Sequence, residues 1–253
     1  MYINKYNFGK RPLIWNPWYG CSKVSEACEN CYIKPEYTFQ DCYYPFKVNY
    51  ERVEKGSVIV VGLKSDFFLA EADKYRDKAW QDIRNHPDLI FLIITKRITR
   101  AANCLPQDWG EGYNNVIFAV TAENQKRADE RIPSLLELKA KHKWIACSPL
   151  LEEIDLTTYL STGQIEHVET LGEKGFVFPA RPVYYKWWEN LCDQCKQHGV
   201  RFSILYVGHN CIMPDNSVIS DNCTCYHSEL ADSLNLYNYK PITFKLQNLE
   251  ITY

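Results

Sequence analysis

No apolar run in the chain approaches the roughly 20 residues that a membrane-crossing helix needs; the longest, such as Leu89 to Ile94, span only a few residues. No membrane association is expected. The segment Met1 to Arg11 lacks the apolar core of a secretion signal, so the expectation is a soluble, cytoplasmic protein. Excess charge of either sign is missing too: 29 Lys plus Arg stand against 31 Asp plus Glu, for a net charge of −2. A protein held on nucleic acid mainly through phosphates carries a broad basic footprint, so any such site here is local. Repeats and low-complexity tracts are also lacking. With 46% hydrophobic and 24% charged residues, the chain falls outside the composition of disordered proteins.

What the chain has in abundance is cysteine. Eleven thiols in 253 residues, with no export signal, point to metal ligation rather than a disulfide framework. The length suits one large α/β domain or two small ones.

Short β-branched runs alternate with amphipathic stretches of helical length. Strands are predicted at Leu13 to Trp15, Ser57 to Gly62, Leu89 to Thr95, Val116 to Val120, Lys143 to Cys147, His167 to Gly172 and Arg201 to Tyr206. Helices are predicted at about Glu71 to Asn85, Ile98 to Cys104, Asn124 to His142, Asp155 to Leu160 and Val183 to His198. Asn124 reads as an N-cap, and Pro133 marks a kink or break in its helix. This alternation implies right-handed crossovers and a parallel sheet. The fold class is therefore α/β, with about six to seven parallel strands in a doubly wound sheet or a partial, open (β/α) barrel. The pattern stops near Gly208, so residues 1–207 read as the barrel and 208–253 as a cysteine-containing C-terminal appendage.

In parallel α/β folds the chemistry collects where strands end. Those ends carry Cys21, Cys28 and Cys31; Lys64, Ser65 and Asp66; Thr95, Lys96 and Arg97; Glu123 and Asn124; Ser148; and Glu173 and Lys174. Such polarity suits a polar ligand, although loops are polar in any protein.

Cys21-x6-Cys28-x2-Cys31, followed at once by Tyr32, is the most informative segment. Three thiolates in one loop can hold three irons of a [4Fe-4S] cluster and leave the fourth iron open. A structural zinc site normally needs a second ligand pair at a distance, and Cys42 could close either site. Reduced, unliganded cysteines are the remaining alternative.

Trp15-Asn16-Pro17, Gly20-Cys21-Ser22-Lys23-Val24-Ser25 and Cys28-Glu29-Asn30-Cys31-Tyr32 closely resemble the opening motif of a phage and mobile-element three-cysteine-motif family. That family is the phage gene product thirty-seven/sixty-eight-like domain of unknown function. The resemblance runs on through Ser65-Asp66-Phe67-Phe68, Thr95-Lys96-Arg97, Thr121-Ala122-Glu123-Asn124-Gln125, Pro149-Leu150-Leu151 and Ala180-Arg181-Pro182, covering about residues 13 to 200.

The family looks like an offshoot of the radical SAM superfamily. The resemblance implies a partial barrel, a [4Fe-4S] cluster on Cys21, Cys28 and Cys31, and S-adenosylmethionine cleaved to a 5′-deoxyadenosyl radical after reduction by an electron-donor protein. A nucleotide or nucleic acid is the implied substrate. Lys96, Asp66 and Glu123 become the expected catalytic residues, and Glu123, Asn124, Glu173 and Tyr32 the expected cofactor contacts. The chain departs from the family at Leu171, where a glycine is usual, and at Leu205-Tyr206-Val207-Gly208, where a Lys and a Gln are usual. Its first cysteine gap, six residues, also exceeds the three usual in radical SAM proteins.

Cys192 and Cys195 lie three apart on a predicted helix and so share a face. With Cys223 and Cys225, or with Cys211, His209 or His227, they could form a zinc site; buried thiols are the alternative. Tyr184, Tyr185, Trp187 and Trp188 suggest base stacking or, more simply, core packing. The competing reading of the whole chain is a non-catalytic, zinc- or cluster-stabilised binding module acting with a partner protein.

Overall fold

A computed structural model describes residues 13–33, 38–50, 53–219 and 236–253. Strands β1 (Leu13–Trp15), β2 (Val58–Val61), β3 (Ile90–Thr95), β4 (Val116–Thr121), β5 (His142–Cys147), β6 (His167–Leu171) and β8 (Arg201–Tyr206) form one parallel sheet. Its spatial order follows chain order, with no point of reversal. A doubly wound sheet reverses at a switch point; strictly sequential strands joined by right-handed crossovers keep every helix on one face. The sheet accordingly curls into an open (β/α) half-barrel flanked by helices.

The crossover helices are α1 (Asp73–Arg84), α2 (Gln125–Glu137), the single turn α3 (Thr157–Leu160) and α4 (Tyr185–His198). Ile98–Cys104 is a 3-10 helix rather than an α-helix. The predicted helix from Asn124 stops at Glu137, because His142 already begins β5. Pro133 lies inside α2 without ending it. Val183–Tyr184, predicted as helix, is instead strand β7, paired with β9 (Cys211–Ile212), which in turn pairs with β10 (Val218–Ile219).

Alternation along the parallel strands divides the core in two. Ile59, Val61, Phe91, Ile93, Phe118, Val120, Ile145 and Val168 face the helices together with Trp80, Ile132 and Trp188. Val58, Val60, Ile90, Leu92, Ile117, Ala119, Trp144 and Ala146 face the concave side. That side is covered by a hairpin of β11 (Thr243–Leu246) and β12 (Leu249–Thr252). Ile242, Phe244 and Leu246 alternate inward into the same apolar cluster, and Phe244 packs 4.2 Å from the His142 ring. The Tyr253 hydroxyl donates to the Gly56 carbonyl just before β2. The C-terminal segment thus stoppers the half-barrel from the N-terminal end of its strands. Buried at about 25 cal/mol per Å2, its aromatic and aliphatic side chains contribute on the order of several kcal/mol.

Among the described residues, no helix is long and apolar enough to cross a membrane.

Candidate functional site

The loop after β1 lies across the opposite, C-terminal end of the sheet. It departs through Gly20, whose φ of +87° and close approach to the Thr38 carbonyl exclude a side chain. Beyond Gly20, three anchors, each built round an ion pair, fasten the loop to three different parts of the barrel.

The first anchor is Arg97, directly after β3. Its guanidinium lies 3.1 Å from Asp66, 3.5 Å from the Cys21 sulfur and 2.7 Å from the Ser22 carbonyl. Asp66 is itself buried, and accepts from the Thr95 hydroxyl at 2.7 Å and from the Phe68 and Lys96 amides at 2.9 and 3.0 Å. Both carboxylate oxygens are therefore committed, and Asp66 acts on the loop by orienting Arg97.

The second anchor is Arg127 in α2, which grips both oxygens of Glu26 at 3.0 Å. That fork holds the Glu26 carboxyl down at about 2. The third joins the loop to the end of β6. Glu173 accepts from Asn30, between Cys28 and Cys31, at 3.0 Å, and from the Arg181 side chain and amide. Burial alone would raise its pKa, but the Arg181 and Asn30 hydrogen bonds hold it below the usual carboxylate range. Asn30 in turn accepts from the Val177 and Phe178 amides, both at 2.9 Å. The strand-end Gly172 is required for a separate reason: a side chain there would strike the Val207 carbonyl.

Within this frame the three thiols are half-buried, and Cys28 lies within electrostatic range of both Cys21 and Cys31. Burial pushes the Cys21 and Cys31 thiols up; Arg97 beside Cys21, and Lys96 and Lys23 near Cys31, act in the opposite sense. The amide of Ile33 also donates toward the Cys31 sulfur at 3.4 Å. Tyr32 reaches the Leu63 carbonyl and sets its ring edge-on to Phe176 at 5.7 Å.

Among the described residues, no three Cys, His, Asp or Glu side chains are gathered tightly enough to hold a single metal ion. A zinc ion draws all its sulfurs to about 2.3 Å from one centre. A cubane seats each thiolate on its own iron and accepts thiols spread round one loop.

Glu123, directly beyond β4, is fully buried, with one oxygen 2.7 Å from Arg131 and the other without a partner. Asn124 serves as the N-cap of α2, its side chain accepting from the Arg127 amide at 2.9 Å. Cys42 is exposed and turned toward the Tyr43 carbonyl. Its neighbour Tyr43 is tied to Asp82 in α1 at 2.6 Å, and the amide of Gln40 donates to the Tyr19 carbonyl just before the loop.

Cys192 and Cys195 are fully buried against the helix-facing side of the sheet, as is Cys211. Burial raises the Cys195 thiol far above its ordinary value. Cys223, Cys225 and His227 lie outside the described residues. Trp188 is core, while Tyr184 is exposed and packs on Trp187 at 4.8 Å.

The sequence named neither Asn30 nor Arg181 as site residues, and Arg97 only as one of the polar residues that end strands. Asn30 and Arg97 work through partners 143 and 31 positions away, and Arg181 through Glu173, eight positions before it; none of these pairings has a local signature. Asn30 alone carried a signal, by its place between two cysteines.

No curated protein and no solved structure matches the chain. A family model described as "Protein of unknown function (DUF5131)" matches residues 11–222, from before β1 to beyond β10, and the chain belongs to that family.

Proposed function

We propose that this protein is an iron-sulfur enzyme of radical SAM type, with Cys21, Cys28 and Cys31 as ligands of a [4Fe-4S] cluster. One observation carries the reading: a three-cysteine loop, faced by Arg97, Lys96 and Lys23, is stapled across the strand ends of a sequentially ordered half-barrel. When bound, such a cluster supplies an electron and an open iron to S-adenosylmethionine, and a reductant protein restores the electron. The chain's own part is positioning. Arg97 offsets charge at Cys21, Asp66 holds Arg97, and Glu173 fixes the Cys28–Cys31 turn through Asn30. Glu123, with one unpaired buried oxygen, offers an acceptor at the mouth for an amino or hydroxyl group. The kinship with radical SAM proteins and phage elements, and a nucleotide or nucleic acid as substrate, rest on the motif resemblance.

Anaerobic reconstitution tests the reading. About four irons and four sulfides per chain are expected, retained in Cys42→Ala and lost when Cys21, Cys28 and Cys31 are all replaced by Ala. Reduced protein should then release 5′-deoxyadenosine from S-adenosylmethionine. A full cluster that leaves S-adenosylmethionine intact removes the enzyme and favours a cluster-stabilised binding module; colourless, zinc-loaded protein removes the cluster.

A further inference from the structure

Glu169 stands in the middle of β6 on the concave face, 3% exposed. Burial is the sole influence on its ionisation and pushes its pKa up to about 7, and among the described residues no group donates to its carboxylate. Its neighbours in register are Ala146 on β5 and Ser203 on β8, with Thr121 on β4 beyond Ala146. Short side chains flank the carboxylate on both sides. The row beneath is closed by Trp144 and His167, whose rings pack at 4.6 Å.

Toward the mouth, the residues just past β4 and β5 also bring buried polar atoms without partners, Glu123 Oε1 and Ser148 Oγ. A buried polar atom with no partner costs free energy and adds nothing to packing. Clusters of such groups in a cleft are the mark of a ligand-binding surface rather than of a core.

The polarity of the cluster decides what it binds. Glu169 and Glu123 Oε1 only accept while ionised, and Ser148 can do either. The nearby cations are engaged elsewhere: Arg131 holds the other oxygen of Glu123, and Arg201 donates to the Tyr253 carbonyl at 2.9 Å, toward the hairpin end. His167 is held neutral by burial and by Arg201. A phosphate or carboxylate would meet like charge here.

We propose that Glu169, with Glu123 Oε1 and Ser148 Oγ, forms an acceptor floor that binds an N–H-bearing nitrogen group of a small ligand: an amidinium or ammonium, or the amino edge of a heterocycle. The floor belongs to the mouth assigned above and rests on that reading for its reaction, but not for its binding.

Guanidinium and adenine serve as cationic and neutral probes, with acetate as the anionic control, and the readout is the Glu169 carboxyl carbon followed by NMR. Saturable perturbation by guanidinium or adenine, none by acetate, and at least tenfold weaker binding in Glu169→Gln at unchanged or higher Tm are expected. Guanidinium alone identifies a cationic group, and adenine alone an amino-heterocycle. No response to either probe, an equal response to acetate, or a Glu169→Gln chain that fails to fold overturns the proposal. Repeating the titration on the chain with Cys21, Cys28 and Cys31 replaced by Ala separates the two readings. Binding that persists there stands even if no cluster forms, whereas a full cluster with no probe binding sinks the acceptor floor alone.

Discussion

The cysteines of the 21–31 loop and those on the inner side of α4 are one residue type in opposite settings. Cys21, Cys28 and Cys31 are half-buried, lie outside both apolar clusters, and face Arg97, Lys96 and Lys23. Cys192 and Cys195 have no exposure, and belong to the same apolar cluster as Leu191, Val168 and Cys147. A thiol becomes a ligand only when its thiolate is tolerated. The loop supplies cations for that charge; the α4 interior, by raising the Cys195 pKa so far, refuses it. Both sets have short spacings that invite a metal reading, so spacing alone does not separate them. Their neighbours do.

The largest effect expected from breaking this contrast comes at Arg97. Arg97→Ala removes the cation from Cys21 and leaves the buried Asp66 carboxylate without its counter-charge, a loss of about 3–5 kcal/mol. Urea unfolding at pH 7 measures it, and Asp66→Asn in the same chain should recover part. Iron retained per chain should fall as well, because Ser22 and Cys21 lose their tether. Full iron retention with a stability change below about 1 kcal/mol would show that the loop is held without this anchor.

A smaller effect is expected on the other side of the contrast. Cys195→Ala deletes one buried sulfur from a packed interior, comparable to removing a methyl group, and should cost about 1 kcal/mol. Reconstituted iron should be unchanged. A fall in iron or zinc with no change in unfolding would make Cys195 a ligand and erase the distinction between the two sets.

Much of the barrel was legible because parallel strands buried on both faces read as continuous β-branched runs. Val58–Val61 and Ile90–Thr95 are such runs, and their bounds fall within a residue of the prediction. The overrun past Glu137 arose where Leu138 continues the apolar pattern of α2 into the connection to β5. The C-terminal hairpin was readable as a strand at Ile242 to Leu246, but its seat was not: alternation reveals a buried face without saying against what. In the site, the cysteines declared themselves by spacing, whereas Asp66 and Glu173 were visible only as strand-end acids. That Asp66 holds Arg97 and Glu173 holds Asn30 is set by long-range geometry, and Glu173 also holds Arg181 eight positions on. Glu169 had a readable sign that went unread, a charged residue at an inward position of a strand otherwise made of His, Val, Thr and Leu.

The smallest expected effect concerns the Arg127–Glu26 anchor, which joins the loop to α2. Glu26 is 41% exposed in its side chain, so solvent screens the pair and limits its worth to about 1 kcal/mol or less. Its sign with pH is nevertheless definite. Because the folded pKa is depressed to about 2, the stabilisation is fully present above the unfolded value near 4.3 and is lost as pH falls through about 2. Glu26→Gln should therefore lower stability slightly at pH 7 and make no difference well below pH 2, where wild type and variant carry the same charge at this position. Since Arg127 also pairs with Glu130, α2 keeps its own cap and first turn in the variant, and any change is confined to the loop. Hydrogen exchange at the Cys28 and Glu29 amides, which close the 3-10 turn onto Ser25 and Glu26, is the sensitive readout. Faster exchange there at pH 7, with the α4 interior unchanged, places the anchor in the loop; equal exchange in both proteins would mean that Arg97 and Asn30 hold the thiols unaided.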